Sequence, residues 1–131
     1  MTEKIICEIR SLLQKKQRVL VAIDGRCASG KTTLAGKLAE NLSCNIIHMD
    51  DFFLRPEQRT AERYDEPGGN VDRERFTEEV VLPLKAGTAF SYQPFHCHTM
   101  TFAEPIAVNP NTVTVIEGTY SCHPMLWDFY D

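Results

Sequence analysis

The segment 25–32 constrains the fold of this chain more than any other part of it. Its letters, GRCASGKT, fit G-x-x-x-x-G-K-[ST], the pattern of a phosphate-binding loop. An apolar run at 19–23 comes just before the loop, and a helical pattern starts near Lys31 just after it. Because such a loop binds phosphate when it joins a strand to a helix, these flanks supply the required context. The motif therefore predicts an α/β domain with a nucleotide-binding loop.

Each residue type in this loop has a chemical task. Glycines let the backbone turn its N–H groups toward a phosphate, and the helix that follows adds its positive N-terminal dipole. Lys31 is predicted to reach the β- and γ-phosphates, and the Thr32 hydroxyl is predicted to ligate Mg²⁺. The predicted nucleotide-contacting residues are Gly25, Arg26, Cys27, Ala28, Ser29, Gly30, Lys31, Thr32 and Thr33.

Composition and charge argue against several classes of protein. With 131 residues, the chain is long enough for one domain with a core. Its net charge of −4, without a basic stripe, argues against nucleic-acid binding. No apolar run approaches the roughly 18 residues of a membrane span, and the N-terminus lacks the apolar stretch of a signal peptide. The five scattered cysteines favour reduced thiols, so we predict a cytoplasmic protein without membrane or nucleic-acid partners.

The spacing of apolar residues alternates between strand and helix periods along the chain. Strands separated by helices favour a parallel α/β sheet, and buried parallel strands form continuous apolar runs. Residues 54–71 are a long polar segment, which is typical of a functional or a disordered loop. Strands are predicted at 18–24, 45–49 and 112–116, helices at 3–16, after Lys31, after Asp72 and from Pro124 in 123–131, and a small hairpin in 88–108.

All three predicted strands end in polar chemistry. The first strand leads into the phosphate loop, the second into Asp50 and Asp51, and the third into Glu117. Because ligands of open α/β sheets lie beyond the carboxyl ends of the strands, we expect these groups to converge. Phosphoryl transfer needs a phosphate cradle, Mg²⁺ and a carboxylate for the attacking hydroxyl. Thr32 with Glu117, the latter through water, is predicted to hold the metal, and Asp50 is the candidate general base.

Four further segments resemble one enzyme group. They are 23–25 (IDG, leading into the loop), 48–53 (HMDDFF), 64–67 (YDEP) and 115–121 (VIEGTYS). Together they resemble the uridine kinase group of P-loop kinases, which includes phosphoribulokinase and bacterial pantothenate kinase. The resemblance covers most of residues 18–131, and the DDFF and EGTYS letters are more specific to the group than the loop itself.

The resemblance implies phosphorylation of a nucleoside 5′-hydroxyl, that of uridine or cytidine, with ATP or GTP and Mg²⁺. It implies that Asp50 is the general base and that Lys31 acts on the transferred phosphate. It also implies that Asp65 binds ribose hydroxyls and that Phe95 and His96 hold the base. Simple packing of the hairpin is the alternative for this aromatic cluster.

Two departures from the group leave alternatives open. Many uridine kinases carry Tyr-Asp near the position of Phe95 and His96, so pantothenate, a sugar phosphate or glycerate stays open as the acceptor. The group also implies two further strands and an arginine-bearing lid, so 1–131 is expected to be the N-terminal portion of a single P-loop kinase domain with an incomplete sheet. A nucleotide-binding fragment without activity, or half of a split enzyme, is therefore a third hypothesis. In such a sheet 19–23 would be an unpaired apolar edge, which favours self-association.

Overall fold

A computed structural model describes residues 2–25, 30–66, 68–96, 98–109, 113–124 and 126–131. In chain order the helices are α1 (Thr2–Leu13), α2 (Lys31–Asn41), α3 (Ala61–Asp65), α4 (Arg73–Phe76) and α5 (Leu82–Ala86). The strands are β1 (Val19–Ile23), β2 (Cys44–His48), β3 (Phe90–Tyr92), β4 (Phe95–His96), β5 (Thr101–Phe102), β6 (Ile106–Val108) and β7 (Val113–Glu117). Short 3-10 helices lie at Met49–Phe52, Pro56–Gln58 and Trp127–Phe129, and a π-helical turn at Thr77–Val81.

The chain divides into two compact units. The first contains Met1–His48 and Asn111–Asp131, and the second contains Met49–Pro110. The predicted parallel sheet lies in the first unit, whereas the small antiparallel strands and the polar segment lie in the second.

The sheet of the first unit has the order β1-β7-β2, and both pairings are parallel. All five residues of β7 are buried, which fits a central strand made of valine, threonine and isoleucine up to its last residue, Glu117. The three predicted strands are confirmed, each shifted by no more than one residue at either end. The predicted α/β fold, a parallel sheet flanked by helices with small antiparallel strands, is also confirmed.

Two helices cover this sheet with a common core. Ile6 and Ile9 of α1 and Leu38 of α2 are buried in one cluster with Val113 and Val115 of β7. The apolar residues of α1 recur every three or four positions, so one face of the helix is apolar and packs inward. The helix ends at Leu13, three residues before its predicted end.

Strand β1 lies at the edge of the sheet, where β7 is its one partner strand among the described residues. Asp131 forms hydrogen bonds with Leu20, near the start of this edge strand. Its backbone N–H donates to the Leu20 carbonyl at 2.8 Å, and its Oδ2 accepts from the Leu20 N–H at 2.8 Å. The predicted helix from Pro124 is wrong, because the described part of 123–131 contains only the 3-10 helix Trp127–Phe129 before the chain reaches Leu20.

The predicted helix after Asp72 is confirmed in the second unit. The Asp72 carboxylate accepts from the Arg75 N–H at 3.2 Å and so caps the first turn. Helical structure continues through α4, the π-helical turn and α5, with Phe76 and Val80 fully buried. It ends at Gly87, whose φ of 73° suits a glycine.

Polar contacts order the segment 54–71, so its described residues are not a disordered loop. Arg63 donates to the carbonyls of Gly69 and Val71 at 3.0 and 2.8 Å and pairs with Glu74 at 2.6 Å. Gly69 lies so close to α3 that an added Cβ would be 1.8 Å from the Arg63 carbonyl oxygen. Arg63 therefore joins α3 to the end of the segment and to α4.

The small antiparallel hairpin predicted in 88–108 is confirmed, and its strands form two antiparallel pairs. β3 pairs with β6, and β4 pairs with β5. Arg75 lies over the rings of Phe52 and Phe102, at 4.6 and 4.9 Å from their centroids, and its Nε is 2.7 Å from Glu79. The hairpins thus pack around a buried guanidinium as well as around apolar side chains.

Candidate phosphate-binding site

The three parallel strands of the first unit end at the same level. Glu117, the last residue of β7, is the register partner of both Ile23 in β1 and His48 in β2. The strand that leads into the phosphate loop therefore ends beside the acidic residue predicted to act with it. This part of the predicted convergence is confirmed for the first unit.

The described part of the loop includes one glycine in the left-handed backbone conformation. Gly30 has φ 91° and ψ 13° and stands at the N-terminus of α2. An added Cβ would meet nothing within 4 Å, so the left-handed backbone, and not lack of space, is what requires glycine here. Arg26, Cys27, Ala28 and Ser29 lie outside the described residues, and their predicted phosphate contacts stay predictions.

The start of α2 presents its polar groups outward. Lys31 is the first residue of the helix and is half-buried, and the hydroxyl residues Thr32 and Thr33 in the same turn are exposed. The first N–H groups of a helix have no partner within the helix, so this end attracts anions. The turn combines a cation, two hydroxyls and a positive dipole.

Asp24 joins the start of the loop to the turn after β7. One carboxylate oxygen, Oδ1, accepts from the N–H groups of Gly25 at 2.6 Å and Tyr120 at 3.1 Å. The other, Oδ2, accepts from the Cys122 N–H at 2.9 Å. Burial raises the pKa of the Cys122 thiol, and the charge of Asp24 adds to that shift. The sequence predicted no role for Asp24, although it belongs to the segment 23–25 that resembles the kinase group.

Two hydroxyls complete this connection in the opposite direction. Thr119 Oγ1 donates to the Gly25 carbonyl at 2.9 Å, and Ser121 Oγ donates to the Ile23 carbonyl at 2.9 Å. The Gly118 N–H donates to the same Ile23 carbonyl at 3.0 Å. Side chains of the turn 118–122 thus bind the end of β1 and Gly25, while Asp24 binds the backbone of the turn.

Glu117 is only 5 % exposed and contacts His48 Nδ1. His48 was not among the predicted site residues, although it stands at the end of a predicted strand. Glu117 and the hydroxyl of Thr32 are hard oxygen donors, which is the chemistry Mg²⁺ prefers. The described residues contain no cluster of three or more His, Cys, Asp or Glu side chains that could hold a metal by itself.

Asp50 lies in the second unit, two residues beyond β2 along the chain. It belongs to the 3-10 helix Met49–Phe52, in which the side chains of Met49 and Phe52 are buried and anchor the turn. Asp50 itself is exposed and therefore accessible to solvent. The charge of its neighbour Asp51 adds to burial in raising the pKa of Tyr92 to about 12.

The other predicted substrate residues also lie in the second unit, in differing environments. Asp65 ends α3 and is exposed, and His96 in β4 is exposed. Phe95 is only 3 % exposed and packs edge-on against Phe102, with ring centroids 5.2 Å apart. That burial favours packing of the hairpin for Phe95 and leaves His96 as the accessible side chain of the pair.

These features define a P-loop fold: a parallel strand, a glycine turn, a helix that begins with lysine, and an acid at the end of the neighbouring strand. The comparisons with solved structures support this class. The chain has the uridine kinase-like P-loop kinase fold. No protein-family model matches the chain, and the search of curated proteins found no match either.

Three solved structures illustrate the likeness. A possible uridine kinase from Bacillus stearothermophilus has a TM-score of 0.76 at 25% identity, over 98% of this chain and 77% of that one. A protein assigned as a fructose transport system kinase from Silicibacter sp. TM1040 has a TM-score of 0.69 at 24% identity, over 95% and 70%. The YGR205w protein has a TM-score of 0.60 at 16% identity, over 90% and 51%. The kinases among these neighbours support a P-loop kinase function, that of a phosphotransferase that binds a nucleotide.

None of the helices among the described residues is both long enough and apolar enough to cross a lipid bilayer.

Proposed function

We propose that this chain transfers the γ-phosphoryl group of ATP or GTP to the hydroxyl of a small acceptor. The proposed acceptor is the 5′-hydroxyl of uridine or cytidine. The observation that carries the proposal is the register of the sheet, which aligns Glu117 with the end of the strand that leads into the phosphate loop. The likeness to a possible uridine kinase supports the acceptor.

The first unit would bind the nucleotide. Lys31 and the N-terminus of α2 would stabilise the charge that develops on the phosphate oxygens. Thr32 and Glu117 would hold Mg²⁺, which when bound neutralises charge on the phosphates. Thr33, in the same turn, would add a second hydroxyl contact.

The second unit would supply the acceptor groups. Asp50 would accept the proton of the attacking hydroxyl, which an exposed carboxylate on an anchored turn can do. Asp65 would bind ribose hydroxyls, and His96 would contact the base. Phe95 would support His96 by packing, since its own side chain is buried.

A sugar or sugar phosphate is the second candidate acceptor. It is favoured by the likeness to a protein assigned as a fructose transport system kinase, whose TM-score of 0.69 is close to that of the first neighbour. Pantothenate and glycerate are further acceptors of the same reaction class. A chain that binds nucleotide without transfer is the non-enzymatic alternative.

A reducing compartment also suits the chain. Cys7, Cys44 and Cys122 are free thiols, which supports our proposal of a cytoplasmic location.

The test is ADP release from Mg·ATP in the presence of separate acceptors. Uridine, cytidine, fructose, pantothenate and glycerate would each be supplied to the folded protein, with GTP in a parallel series. We expect release that depends on uridine or cytidine. Release that depends on fructose alone would favour a sugar as the acceptor. If none of these acceptors increases release, kinase activity of this chain would be refuted. Lys31→Ala is the control, because it should abolish any release that belongs to this site.

A further inference from the structure

We propose that Asp24 is a positioning residue that holds the start of the phosphate loop in its binding geometry before the nucleotide arrives. The inference deepens the proposed function and rests on it. Asp24 is exposed and is the last residue before the loop motif. Its carboxylate nevertheless accepts hydrogen bonds from the N–H groups of Gly25, Tyr120 and Cys122.

The turn that Asp24 holds has a strained backbone. Tyr120 has φ 67°, in the left-handed region that a side chain as large as tyrosine rarely adopts. Such a backbone conformation is unfavourable and persists only where its surroundings hold it, and residues of this kind cluster at functional sites. The N–H of Tyr120 is one of the groups that Asp24 accepts from, at 3.1 Å. The carboxylate therefore stabilises the strained residue directly.

The contacts run in both directions between the loop and the turn. Asp24 binds the turn, while Thr119 and Ser121 of the turn donate back to the carbonyls of Gly25 and Ile23. Gly25 is bound on both sides, since its N–H meets Asp24 and its carbonyl meets Thr119. This double contact fixes the first residue of the loop to the end of the sheet.

A fixed start matters because the loop binds phosphate through its backbone. If the binding-competent loop is populated only part of the time, the apparent affinity for the ligand falls by that fraction. Preorganised contacts remove this cost before the ligand binds. Asp24 would therefore act on nucleotide affinity without touching the nucleotide.

Asp24→Asn separates positioning from electrostatics by the sign of its effect. A negative charge beside a polyphosphate site opposes binding, so removal of the charge alone would tighten nucleotide affinity. Asparagine keeps the shape but presents an NH₂ donor where the carboxylate has a second acceptor. It would face at least one backbone N–H with another donor, and the contacts that hold Gly25 to the turn would weaken. Positioning therefore predicts weaker binding, whereas electrostatics predicts tighter binding.

The experiment measures the dissociation constant of Mg·ATP by calorimetry for wild type, Asp24→Asn, Lys31→Ala and Asp128→Asn. Asp128 is an exposed acid in the same unit and serves as the matched control. Circular dichroism gives the thermal transition of each protein, and binding is measured below that temperature. We expect about tenfold weaker binding by Asp24→Asn, the effect of one charge-assisted hydrogen bond, and unchanged binding by Asp128→Asn.

A second pair of variants guards against misfolding of the first. Thr119→Val removes the hydroxyl that binds the Gly25 carbonyl but keeps the shape, and Thr119→Ser restores the hydroxyl. We expect Val to weaken Mg·ATP binding and Ser to recover it. Hydrogen exchange of the Tyr120 and Cys122 amides gives a readout that needs no nucleotide, and it should be faster in Asp24→Asn.

The outcomes distinguish the inference from the proposed function. Equal or tighter Mg·ATP binding by folded Asp24→Asn overturns the role of Asp24, as does a lower melting temperature with an unchanged dissociation constant. Neither result affects the proposed function while wild type binds and Lys31→Ala does not. If folded wild type binds no nucleotide, the proposed function fails, and the exchange rates alone report whether Asp24 orders the turn.

Discussion

Glu117 is a nearly buried carboxylate that contacts an imidazole at the end of a parallel sheet. A buried charge is stable only when it has partners, so Glu117 depends on His48 and on whatever lies beyond the strand end. A cation bound there would complete its surroundings. Glu117 therefore links the packing of β7 to the proposed metal site.

We predict that Glu117→Gln weakens the apparent Mg²⁺ affinity about tenfold to a hundredfold, because the proposed contact loses its charge. The measurement is the Mg²⁺ dependence of ADP release at saturating ATP. Glu40→Gln, an exposed acid in α2, is the control and should leave the dependence unchanged. An unaltered Mg²⁺ dependence in Glu117→Gln would remove this residue from the metal site.

Asp72 is the residue on which the polar segment depends. It is fully buried and accepts hydrogen bonds from Arg55 at 3.1 Å, Gln58 at 3.0 Å and the Arg75 N–H at 3.2 Å. We predict that Asp72→Ala lowers the free energy of unfolding by about 3 kcal/mol, since buried donors lose their acceptor. Urea unfolding measures the change. Glu57→Ala removes a more exposed acid near Arg55 and should have little effect, and equal effects of the two variants would contradict this role for Asp72.

At the scale of elements, an ion pair joins α3 to α4. Burial raises the pKa of the Glu74 carboxyl, but the hydrogen bond of Arg63, a backbone hydrogen bond and the charges of Arg63 and Arg73 together outweigh it, so the pKa is below its usual value. The same contact raises the pKa of Arg63. A carboxyl whose pKa is lower in the folded state stabilises the fold above its unfolded pKa, and that stabilisation is lost as the pH falls through the folded pKa.

We therefore predict that Glu74→Gln destabilises the protein less at pH 3 than at pH 7. As the pH falls through the folded pKa, the wild-type carboxyl takes up a proton and comes to resemble the amide. Urea unfolding of both proteins at the two pH values is the measurement. A difference between the proteins that is the same at both pH values would show that the charge of Glu74 contributes nothing.

Elements could be predicted from the sequence where one local pattern decides them. The apolar runs of β1 and β7 fit only buried strands, and Asp72 as a helix cap needs only the next turn. The predicted helix from Pro124 was wrong because the structure of this segment depends on a long-range contact, that of Asp131 with Leu20. No local pattern reports such a contact.

The site divides in the same way. Lys31 and Glu117 follow from a motif and from the end of a strand. Asp24 and His48 were missed because their partners lie 96 and 69 residues away in the sequence. For Phe95 the sequence left two alternatives open, contact with the base and packing of the hairpin, and the burial of its side chain favours packing.

At the scale of the whole molecule, the open edge of β1 is the main liability. Among the described residues β1 has β7 as its one partner strand, and Asp131 covers only its start, at Leu20. Because backbone groups alternate along a strand, those of Ala22 face the same side as those of Leu20. Unpaired edges of this kind template association with another chain.

We predict that the protein self-associates and that Ala22→Pro reduces the association. Proline removes the outward N–H and is tolerated on an edge strand. Light scattering across a concentration series is the measurement, with Ala22→Ser as the control that keeps the N–H. A sharp monomer peak for wild type at all concentrations, with cooperative unfolding at an ordinary mesophile temperature, would refute the prediction.

The most direct test of the whole account is transfer of the label from γ-labelled ATP to an acceptor, with the product identified by chromatography. Wild-type protein with Mg²⁺ should yield labelled uridine or cytidine monophosphate, and Lys31→Ala should yield at least about a hundredfold less. No labelled acceptor from folded protein that binds Mg·ATP would contradict the claim that this chain is a kinase.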